Sequence, residues 1–226
     1  MLRDLNEIRN CVVQGMDGII GTVADVYVND QTWKIHYVAA DTGNWLQGRH
    51  VLISTESFLE PKWETSSFPA LVKKAEVEHS PKFEIEKPLS WEKEREICHH
   101  YRWTTYFPKN ENELSVFPGI LTSANGLKEF SLLATVGEIG EITNFLIEDM
   151  AWTVRYIVVD TAKWLAGRNV LISPMWNKTI NWAERMVTVN LSQEEIKHSP
   201  EYDPTLPIER VYEIELYKHY GQPHYW

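Results

Sequence analysis

The sequence predicts a mainly β protein with helical extensions, arranged as two tandem small antiparallel β-barrels related by a pseudo-twofold axis. Three observations lead to this fold class. The chain repeats itself at an offset of 119 residues, each copy contains short runs with the period of a β-strand, and each copy ends in a helical pattern. Strands that outnumber helices, separated by glycine-containing turns, favour a small barrel or sandwich in each copy.

The repeat is continuous over the first part of each copy. Residues 18–54 and 137–173 share 16 identities in 37 positions, whereas average residue usage predicts about 2. Farther along, the same offset aligns two His-Ser-Pro segments and two His-Tyr pairs. We therefore assign the first copy with its helical extension to residues 1–107, a polar linker to 108–127, and the second copy with its helical extension to 128–226.

Alternating residues predict the strands. In residues 33–41 the odd positions are mainly apolar, while Lys34 and His36 are polar, which is typical of a strand with one buried face. The β-branched run at 23–28 and the Val-Leu-Ile run within 50–53 predict two further strands. The second copy contains a partner for each of these runs.

Capping residues predict the helices. Ser192 begins a Ser-Gln-Glu-Glu capping box, and Pro200 ends that short helix. A longer helix is predicted over 207–220, with proline at its start and Gly221 just past its end. Its equivalent in the first copy begins at Ser90.

Charge and composition limit the classes of function. The 226 residues carry 22 Lys plus Arg and 32 Asp plus Glu, a formal net charge of −10 without a basic run. Phosphate backbones repel such a chain, so nucleic acid is not an expected partner. No apolar run approaches the roughly 20 residues of a spanning helix. Cys11 and Cys98 lie far apart and offer no disulfide framework. We expect a cytoplasmic protein without a membrane span, and peripheral association with a membrane stays open.

A composite motif connects the chain to a known family. Asp-Thr-x-x-Trp-Leu-x-Gly-Arg-x-Val-Leu-Ile-Ser occurs at 41–54 and 160–173, each time after a Trp-x-Ile/Val-x-Tyr strand. This motif resembles the PRC-barrel family, named after the cytoplasmic domain of the photosynthetic reaction centre H subunit. Each copy also resembles bacterial PRC-barrel proteins that end in Tyr-Gly-x-Pro-x-Tyr-Trp, here residues 220–226. The resemblance implies a barrel of about six strands in each half.

The resemblance also implies a non-catalytic role. PRC-barrels influence electron transfer to quinone at a membrane surface, or assist assembly of the small ribosomal subunit. The sequence has neither the H subunit's membrane helix nor the assembly factor's leading domain, so neither role is carried over. We expect a binding or scaffolding module for a protein partner, with a membrane complex of the photosynthetic electron-transport type as one class. The alternatives are an RNA or ribosome-assembly factor, a small-ligand sensor or enzyme, and a purely structural or stress-related protein with no specific ligand.

The repeated turn supplies the first candidate site residues. They are Asp41, Trp45 and Arg49 in the first copy and Asp160, Trp164 and Arg168 in the second. A structural role is favoured, in which aspartate caps the turn while arginine bonds to it or to a backbone carbonyl. The alternative is an anion site at Arg49 and Arg168. The two tryptophans either close the end of a barrel or anchor a partner.

Aromatic residues near element ends supply the second candidates. Trp103, Tyr225 and Trp226 are candidate interface residues, because Tyr and Trp are enriched at protein contacts. We expect no catalytic residue, metal or cofactor, since no catalytic or nucleotide-binding motif occurs. We also expect no pair of carboxylates at repeated, apolar-flanked positions of the kind that shifts a pKa. A homo-oligomer stays open.

Overall fold

The computed structural model describes residues 1–85, 87–107, 119–161, 168–176 and 178–226. The chain is mainly β with a few helices, as predicted, and it contains two sheets. Its contacts divide it into two units. Unit 1 comprises Met1, Arg3–Gly126 and Glu148–Thr153, and unit 2 comprises Leu2, Leu127–Ile147 and Val154–Trp226.

Strands and helices follow one another in a repeated order. The strands are β1 (Leu2–Asp4), β2 (Val12–Gly15), β3 (Gly18–Asn29), β4 (Ile35–Asp41), β5 (His50–Ser54), β6 (Ser67–Pro69), β7 (Leu121–Ser123), β8 (Ser131–Leu133), β9 (Glu138–Glu148), β10 (Thr153–Asp160), β11 (Asn169–Ile172), β12 (Lys178–Asn181) and β13 (Met186–Val189). The helices are α1 (Leu5–Ile8), α2 (Lys74–Glu78), α3 (Trp91–Tyr101), α4 (Ala124–Leu127), α5 (Gln193–Lys197) and α6 (Arg210–His219). The strands predicted from the alternating runs are all present.

Among the residues that the structure describes, neither sheet closes into a barrel, so the prediction of two closed antiparallel barrels is not confirmed. The first sheet has the order β5-β4-β3-β2-β6, with β7 paired to β3, and the second contains the order β11-β10-β9-β8-β13-β12. Each sheet also contains a parallel pair, β2 with β6 and β8 with β13. The alternating pattern identifies strands, but it does not determine which strands pair or in which direction.

The physical reason for the open edge is visible in the first sheet. After β5 the chain turns through a short 3-10 helix, Thr55–Ser57, and returns beside β6. There it forms only two isolated bridges, Phe58 with Ala70 and Lys62 with Ser67. The sheet therefore curls back towards its own edge without completing a ladder of hydrogen bonds.

Strand register in the second sheet follows that of the first at the 119-residue offset. Val38 pairs with Ile53, and Ile157 pairs with Ile172. The register shifts between Val13 and Gln14 in β2, and at the corresponding place in β8. A bulge is a specific local feature of a strand pair, so its recurrence at the same aligned position indicates a closely similar backbone path.

One glycine in each sheet is required by close packing of the backbone. A Cβ atom at Gly21 would overlap the carbonyl oxygen of Asp41, and one at Gly140 would overlap that of Asp160. Any larger residue would push β3 away from β4, or β9 away from β10, because the obstacle is backbone.

Helix ends agree with the predicted caps, with one shift. Ser192 caps α5 in a complete capping box, and Ser90 caps α3 by accepting a hydrogen bond from the Lys93 N–H at 3.3 Å. α6 begins at Arg210 rather than at 207, because Glu209 at its N-cap has an extended backbone.

Helix α3 packs on one face of the first sheet and forms a hydrophobic core with it. Ile97 and Cys98 of α3 are buried against Tyr37 of β4 and Leu52 of β5. This packing places the helix and the aromatic segment after it beside the sheet. Of the residues predicted as linker, 108–118 lie outside the described residues, whereas β7 pairs antiparallel with β3.

Candidate functional site

The repeated turn is held by hydrogen bonds within its own unit. The Asp41 carboxylate accepts a hydrogen bond from the Gly43 N–H at 2.8 Å. The Arg49 guanidinium donates to the carbonyl oxygen of Glu78 at 3.2 Å and to both the carbonyl and the hydroxyl oxygen of Ser80. Arg49 therefore binds the carbonyls at the end of α2, which lack partners within the helix.

The arginine of the second copy makes hydrogen bonds to the aligned carbonyls. Arg168 donates to the carbonyl oxygens of Lys197, at 2.6 Å, and of Ser199, just past α5. Both Nη atoms of each arginine are thus directed at protein carbonyls, which favours a structural role over an anion site. Trp164 lies outside the described residues.

The candidate tryptophans of the first unit are half-buried. Trp45 donates from Nε1 to the Ile20 carbonyl at 2.6 Å, and the Lys74 ammonium lies 4.4 Å from the centre of its ring. Trp103 stacks on Tyr101 with ring centres 4.1 Å apart. Each side chain packs against its own unit, so neither stands out as a free anchor.

A buried glutamate on the long helix of each unit is the feature that the sequence analysis missed. Glu94 is fully buried and Glu213 is 3% exposed, and they align at the 119-residue offset. Tyr37 donates to Glu94 at 2.7 Å, and Tyr156 donates to Glu213 at 2.8 Å.

Burial affects the ionisation of the tyrosines beside these acids. Loss of solvent, reinforced by the Glu94 charge, raises the pKa of Tyr37 well above its ordinary value. Burial likewise raises the pKa of Tyr156, with smaller contributions from Tyr217 and Glu213. Both tyrosines therefore stay protonated and act as hydrogen-bond donors to the carboxylates at neutral pH.

In unit 2 the buried acid is paired with a cation. Arg210 lies 2.8 Å from Glu213 Oε2, and Tyr225 donates to Glu213 Oε1 at 2.9 Å. The Arg210 guanidinium also lies 4.0 Å from the centre of the Trp226 ring, and the Arg155 guanidinium lies 4.1 Å from that of Tyr225. The candidate residues Tyr225 and Trp226 thus form an aromatic and cationic cluster around the acid, and Trp226 stays 46% exposed.

In unit 1 aromatic residues replace both arginines around the acid. Trp91 aligns with Arg210 and packs on Phe107 at 5.6 Å, while His36 aligns with Arg155 and packs on Tyr106 at 4.0 Å. The Tyr106 N–H donates to Glu94 Oε1 at 2.5 Å. Over the described part of the chain, Glu94 Oε2 has no hydrogen-bond partner.

A polar cavity of about 200 Å³ lies next to this cluster in unit 1. Its lining includes Lys34, His36, Tyr37, Thr55, Glu56 and Tyr106. His36 Nε2 is buried and, among the residues that the structure describes, has no hydrogen-bond partner. Burial and the Lys34 charge lower the pKa of His36 to about 4, so the ring is neutral at pH 7.

An apolar groove of about 440 Å³ lies on unit 2 beside the start of α6. Leu206 and Val211 line it and are each 63% exposed. In unit 1, Leu89 aligns with Ile208 of the groove; it is only 6% exposed, and its N–H donates to the Leu121 carbonyl at 2.8 Å. The carboxylates that line the groove are Glu201, Asp203, Glu209 and Glu215.

Two other kinds of feature are absent from the described residues. No group of three or more His, Cys, Asp or Glu residues in those ranges could hold a metal ion. No helix within them is both long enough and apolar enough to cross a membrane.

A curled sheet followed by a helix that packs on its face defines a small β-domain with a helical extension. Residues 2–64 match the family model of the PRC-barrel domain. The chain therefore carries a PRC-barrel domain in its first copy, as the repeated motif predicted, and the match does not extend to the second copy. No curated protein matches the chain.

One signal in the sequence could have identified the buried acids. Glu94 and Glu213 are identical residues at the repeat offset, in helices whose apolar residues are spaced for burial. By contrast, His36 and Arg155 differ, as do Trp91 and Arg210. Comparison of the two copies therefore does not indicate that these four positions lie near the two aligned glutamates.

Proposed function

We propose that this protein is a non-catalytic, cytoplasmic protein-binding module built from two PRC-type units that arose by tandem duplication. The apolar groove beside α6 is the observation that supports binding of a protein partner. Equivalent strand registers and bulges in the two sheets support the proposal for duplication.

Unusual backbone angles give further support for duplication. A positive φ is uncommon outside glycine and is an outlier for a bulky side chain. Trp33 has φ 58° and Trp152 has φ 48°, at aligned positions. Ser66 and Arg185 form another aligned pair, with φ 46° and 53°. Unrelated backbones would rarely place such residues at the same points.

The groove suits a protein partner because it exposes apolar side chains next to a helix. Leu206 and Val211 are each nearly two-thirds exposed, and full burial of such a side chain contributes about 1.5–3 kcal/mol. Four carboxylates line the groove, and no lysine or arginine is among its lining residues. We infer that the occupant is an amphipathic helix with apolar residues on one face and flanking Lys or Arg.

Charge distinguishes this occupant from a second copy of the chain. A twofold contact through the groove would bring Glu201, Asp203 and Glu215 of one chain towards the same residues of another, which is unfavourable. Membrane proteins carry an excess of Lys and Arg in their cytoplasmic loops. A membrane-associated complex is therefore one class of partner that could supply such a segment.

A pair of designed peptides tests the proposal. One is an amphipathic helix with leucines on one face and lysines on the other, and its counterpart has glutamates in place of the lysines. We expect the native protein to bind the lysine peptide at least tenfold more tightly than the glutamate peptide, with affinity falling as salt rises. Fluorescence anisotropy gives the two dissociation constants.

Two valine substitutions locate the site. Val211→Asp places a charge in the groove within the first turn of α6, where an acidic residue suits the helix, so the fold should persist. Val136→Asp is the matched control, because Val136 is 73% exposed and outside the groove lining. We expect Val211→Asp to weaken binding of the lysine peptide at least tenfold and Val136→Asp to leave it unchanged. Equal binding of both peptides, or equal effects of both substitutions, would contradict the proposal, as would a dimer that only Val211→Asp dissociates.

A further inference from the structure

Unit 1 exposes four apolar side chains on the outer face of its sheet. They are Met16, Ile19, Leu59 and Leu71, and each is more than half exposed. Ile19 lies on β3, and Met16 lies in the turn between β2 and β3. Leu71 follows β6, and Leu59 lies on the segment that returns beside β6. We call these four residues the apolar patch.

Strand register places two of them in one row across the sheet. Gln14 of β2 pairs with Ile19 on one side and with Pro69 of β6 on the other. The Leu59 N–H donates to the Pro69 carbonyl at 2.8 Å, which places Leu59 opposite Pro69. Residues directly opposite one another point to the same face of a sheet. Ile19 and Leu59 are therefore the two ends of a row on one face.

The other two form a neighbouring row. Met16 is two residues beyond Gln14, and Leu71 is two residues beyond Pro69, so strand alternation directs both to the same face as the first row. The Met16 N–H donates to the Val72 carbonyl at 2.8 Å, which continues the pairing of these segments past β6. The four side chains are therefore contiguous, and a contiguous exposed apolar patch commonly marks an interaction surface.

The second copy of the repeat has polar residues at all four aligned positions. They are Thr135, Glu138, Lys178 and Asn190. The strand pairs β2–β3 and β8–β9 have the same register and the same bulge, so the two copies differ here in side chains rather than in backbone. The sequence therefore provides this patch once in each chain.

Charged residues of both signs lie beside the apolar patch. Asp17 and Lys73 lie at one end of the two rows, Glu60 and Lys62 lie at the other, and all four side chains are exposed. Lys74 instead packs over a tryptophan ring, 4.4 Å from its centre. A rim without net charge selects neither an acidic nor a basic partner, but it is compatible with a copy of itself. The groove of unit 2, whose charged lining residues are all carboxylates, is not.

We propose that the apolar patch forms a weak homodimer by packing on the same patch of a second chain about a twofold axis. An axis normal to the sheet through the middle of the first row exchanges the ends of that row, so Ile19 of one chain faces Leu59 of the other. The same axis brings Asp17 of each chain to the end where the other chain has Lys62, which is a favourable pairing of charges.

A single patch in each chain limits the assembly to two chains. A twofold contact uses the same patch on both partners, so no equivalent patch is left to bind a third chain. Specific interfaces bury about 800 Å² on each partner, and four half-exposed side chains make up only part of such an area, so we expect a Kd of about 100 μM. The dimer contact lies on unit 1 and does not depend on the groove of unit 2.

Sedimentation velocity at protein concentrations up to about 1 mM measures the dimer and its response to salt. Each chain has a formal net charge of −10, so two chains repel one another, and salt screens that repulsion. We therefore expect the dimer to become stronger as salt rises. Binding of the lysine peptide to the groove should become weaker under the same change, so the two interactions can be told apart.

Two substitutions copied from the second repeat locate the contact. Ile19→Glu and Leu59→Lys introduce the residues found at aligned positions 138 and 178, and both sites are exposed, so the fold should persist. Each should weaken dimerisation at least tenfold. An equimolar mixture of the two variants should dimerise with nearly native affinity, because the new glutamate of one chain then faces the new lysine of the other. Val136→Glu, at an exposed position of unit 2, is the matched control and should leave the Kd unchanged.

Several results would overturn the proposal. One is a native chain that stays monomeric at about 1 mM. Another is a dimer that Val136→Glu weakens as much as Ile19→Glu does, or one that only Val211→Asp dissociates. A mixture of Ile19→Glu and Leu59→Lys that associates no better than either variant alone would contradict the twofold contact. If either variant fails to fold, the other still locates the contact against the Val136→Glu control.

Discussion

The long helices of the two units carry the same buried acid in different surroundings. In both units a strand tyrosine donates to the glutamate, at 2.7 Å from Tyr37 of β4 and 2.8 Å from Tyr156 of β10. In unit 2 the second carboxylate oxygen lies 2.8 Å from Arg210. In unit 1 the residue aligned with Arg210 is Trp91, which packs on a phenylalanine.

This difference shows which features a repeated backbone holds constant and which can diverge. Strand register and the close approach at Gly21 and Gly140 are the same in both units, because backbone atoms determine them. The partners of the buried acid come from long side chains on the surface of the helix and from the tail, where one substitution removes a cation without moving the backbone. Both units therefore have the buried acid, but unit 2 pairs it with Arg210, whereas unit 1 has aromatic residues at the aligned positions and a polar cavity.

The largest predicted effect tests what the two units share. Gly21→Ala and Gly140→Ala would each force a Cβ into a backbone carbonyl, and we expect each to destabilise its own unit by about 3 kcal/mol or more. Hydrogen exchange, read separately for the amides of each unit, measures the loss.

Gly43→Ala serves as the control for this prediction. A Cβ at Gly43 meets open space, but its φ of +59° costs a larger residue about 1–2 kcal/mol. The control should therefore be milder than either of the other two. If Gly21→Ala and Gly140→Ala differ by more than the control effect, the two backbones are less alike than their registers indicate.

Sequence reasoning recovered the local features of this fold better than its long-range ones. Caps such as Ser90 and Ser192 depend on a few neighbouring residues, and they were predicted correctly. The predicted closed barrels are not confirmed, because strand pairing depends on connections such as the turn after β5 that alternation does not reveal. The cavity could not be predicted, since residues far apart in the sequence, such as His36, Thr55 and Tyr106, line it together.

The second prediction concerns the counter-ion directly. Glu213→Gln breaks a partly exposed ion pair with Arg210 and weakens two tyrosine hydrogen bonds, so we expect a loss of about 2 kcal/mol. Glu94→Gln removes a buried charge that lacks an ion-pair partner in the described residues, so its cost should be smaller by about 1 kcal/mol or more. Urea unfolding of both variants gives the comparison, and a larger loss for Glu94→Gln would refute this account of the two sites.

The third prediction compares Tyr225 with Tyr106, which aligns with it in unit 1. Tyr225 reaches Glu213 through its hydroxyl at 2.9 Å, whereas Tyr106 reaches Glu94 through its backbone N–H. Tyr225→Phe should therefore cost about 1.5 kcal/mol, because it removes a hydrogen bond to a charged group. The Tyr106 hydroxyl accepts a hydrogen bond from the neutral Asn29 amide, and Tyr106→Phe should cost about 1 kcal/mol or less. Thermal unfolding of the pair measures the difference, and equal losses would mean that the carboxylate adds nothing to the Tyr225 bond.

The smallest predicted effect is a pH dependence that only unit 1 carries. The pKa of His36 is about 4 in the folded protein and 6.5 ordinarily, so between these values the unfolded chain binds a proton that the folded chain does not. The contribution of His36 to stability is therefore complete above pH 6.5 and is lost as pH falls towards 4. Because the ring is partly exposed, we expect a loss of about 1 kcal/mol or less between pH 6.5 and 5.

Unit 2 provides the contrast for this measurement, since the aligned Arg155 stays charged throughout that range. Hydrogen exchange of the unit 1 amides should become faster at pH 5 than intrinsic exchange rates predict, and His36→Gln should remove the excess. His99→Gln, at an exposed position of α3, should leave it in place. If the excess persists in His36→Gln, a different buried group makes unit 1 sensitive to acid, and the loss of arginine at this position has no consequence for pH dependence.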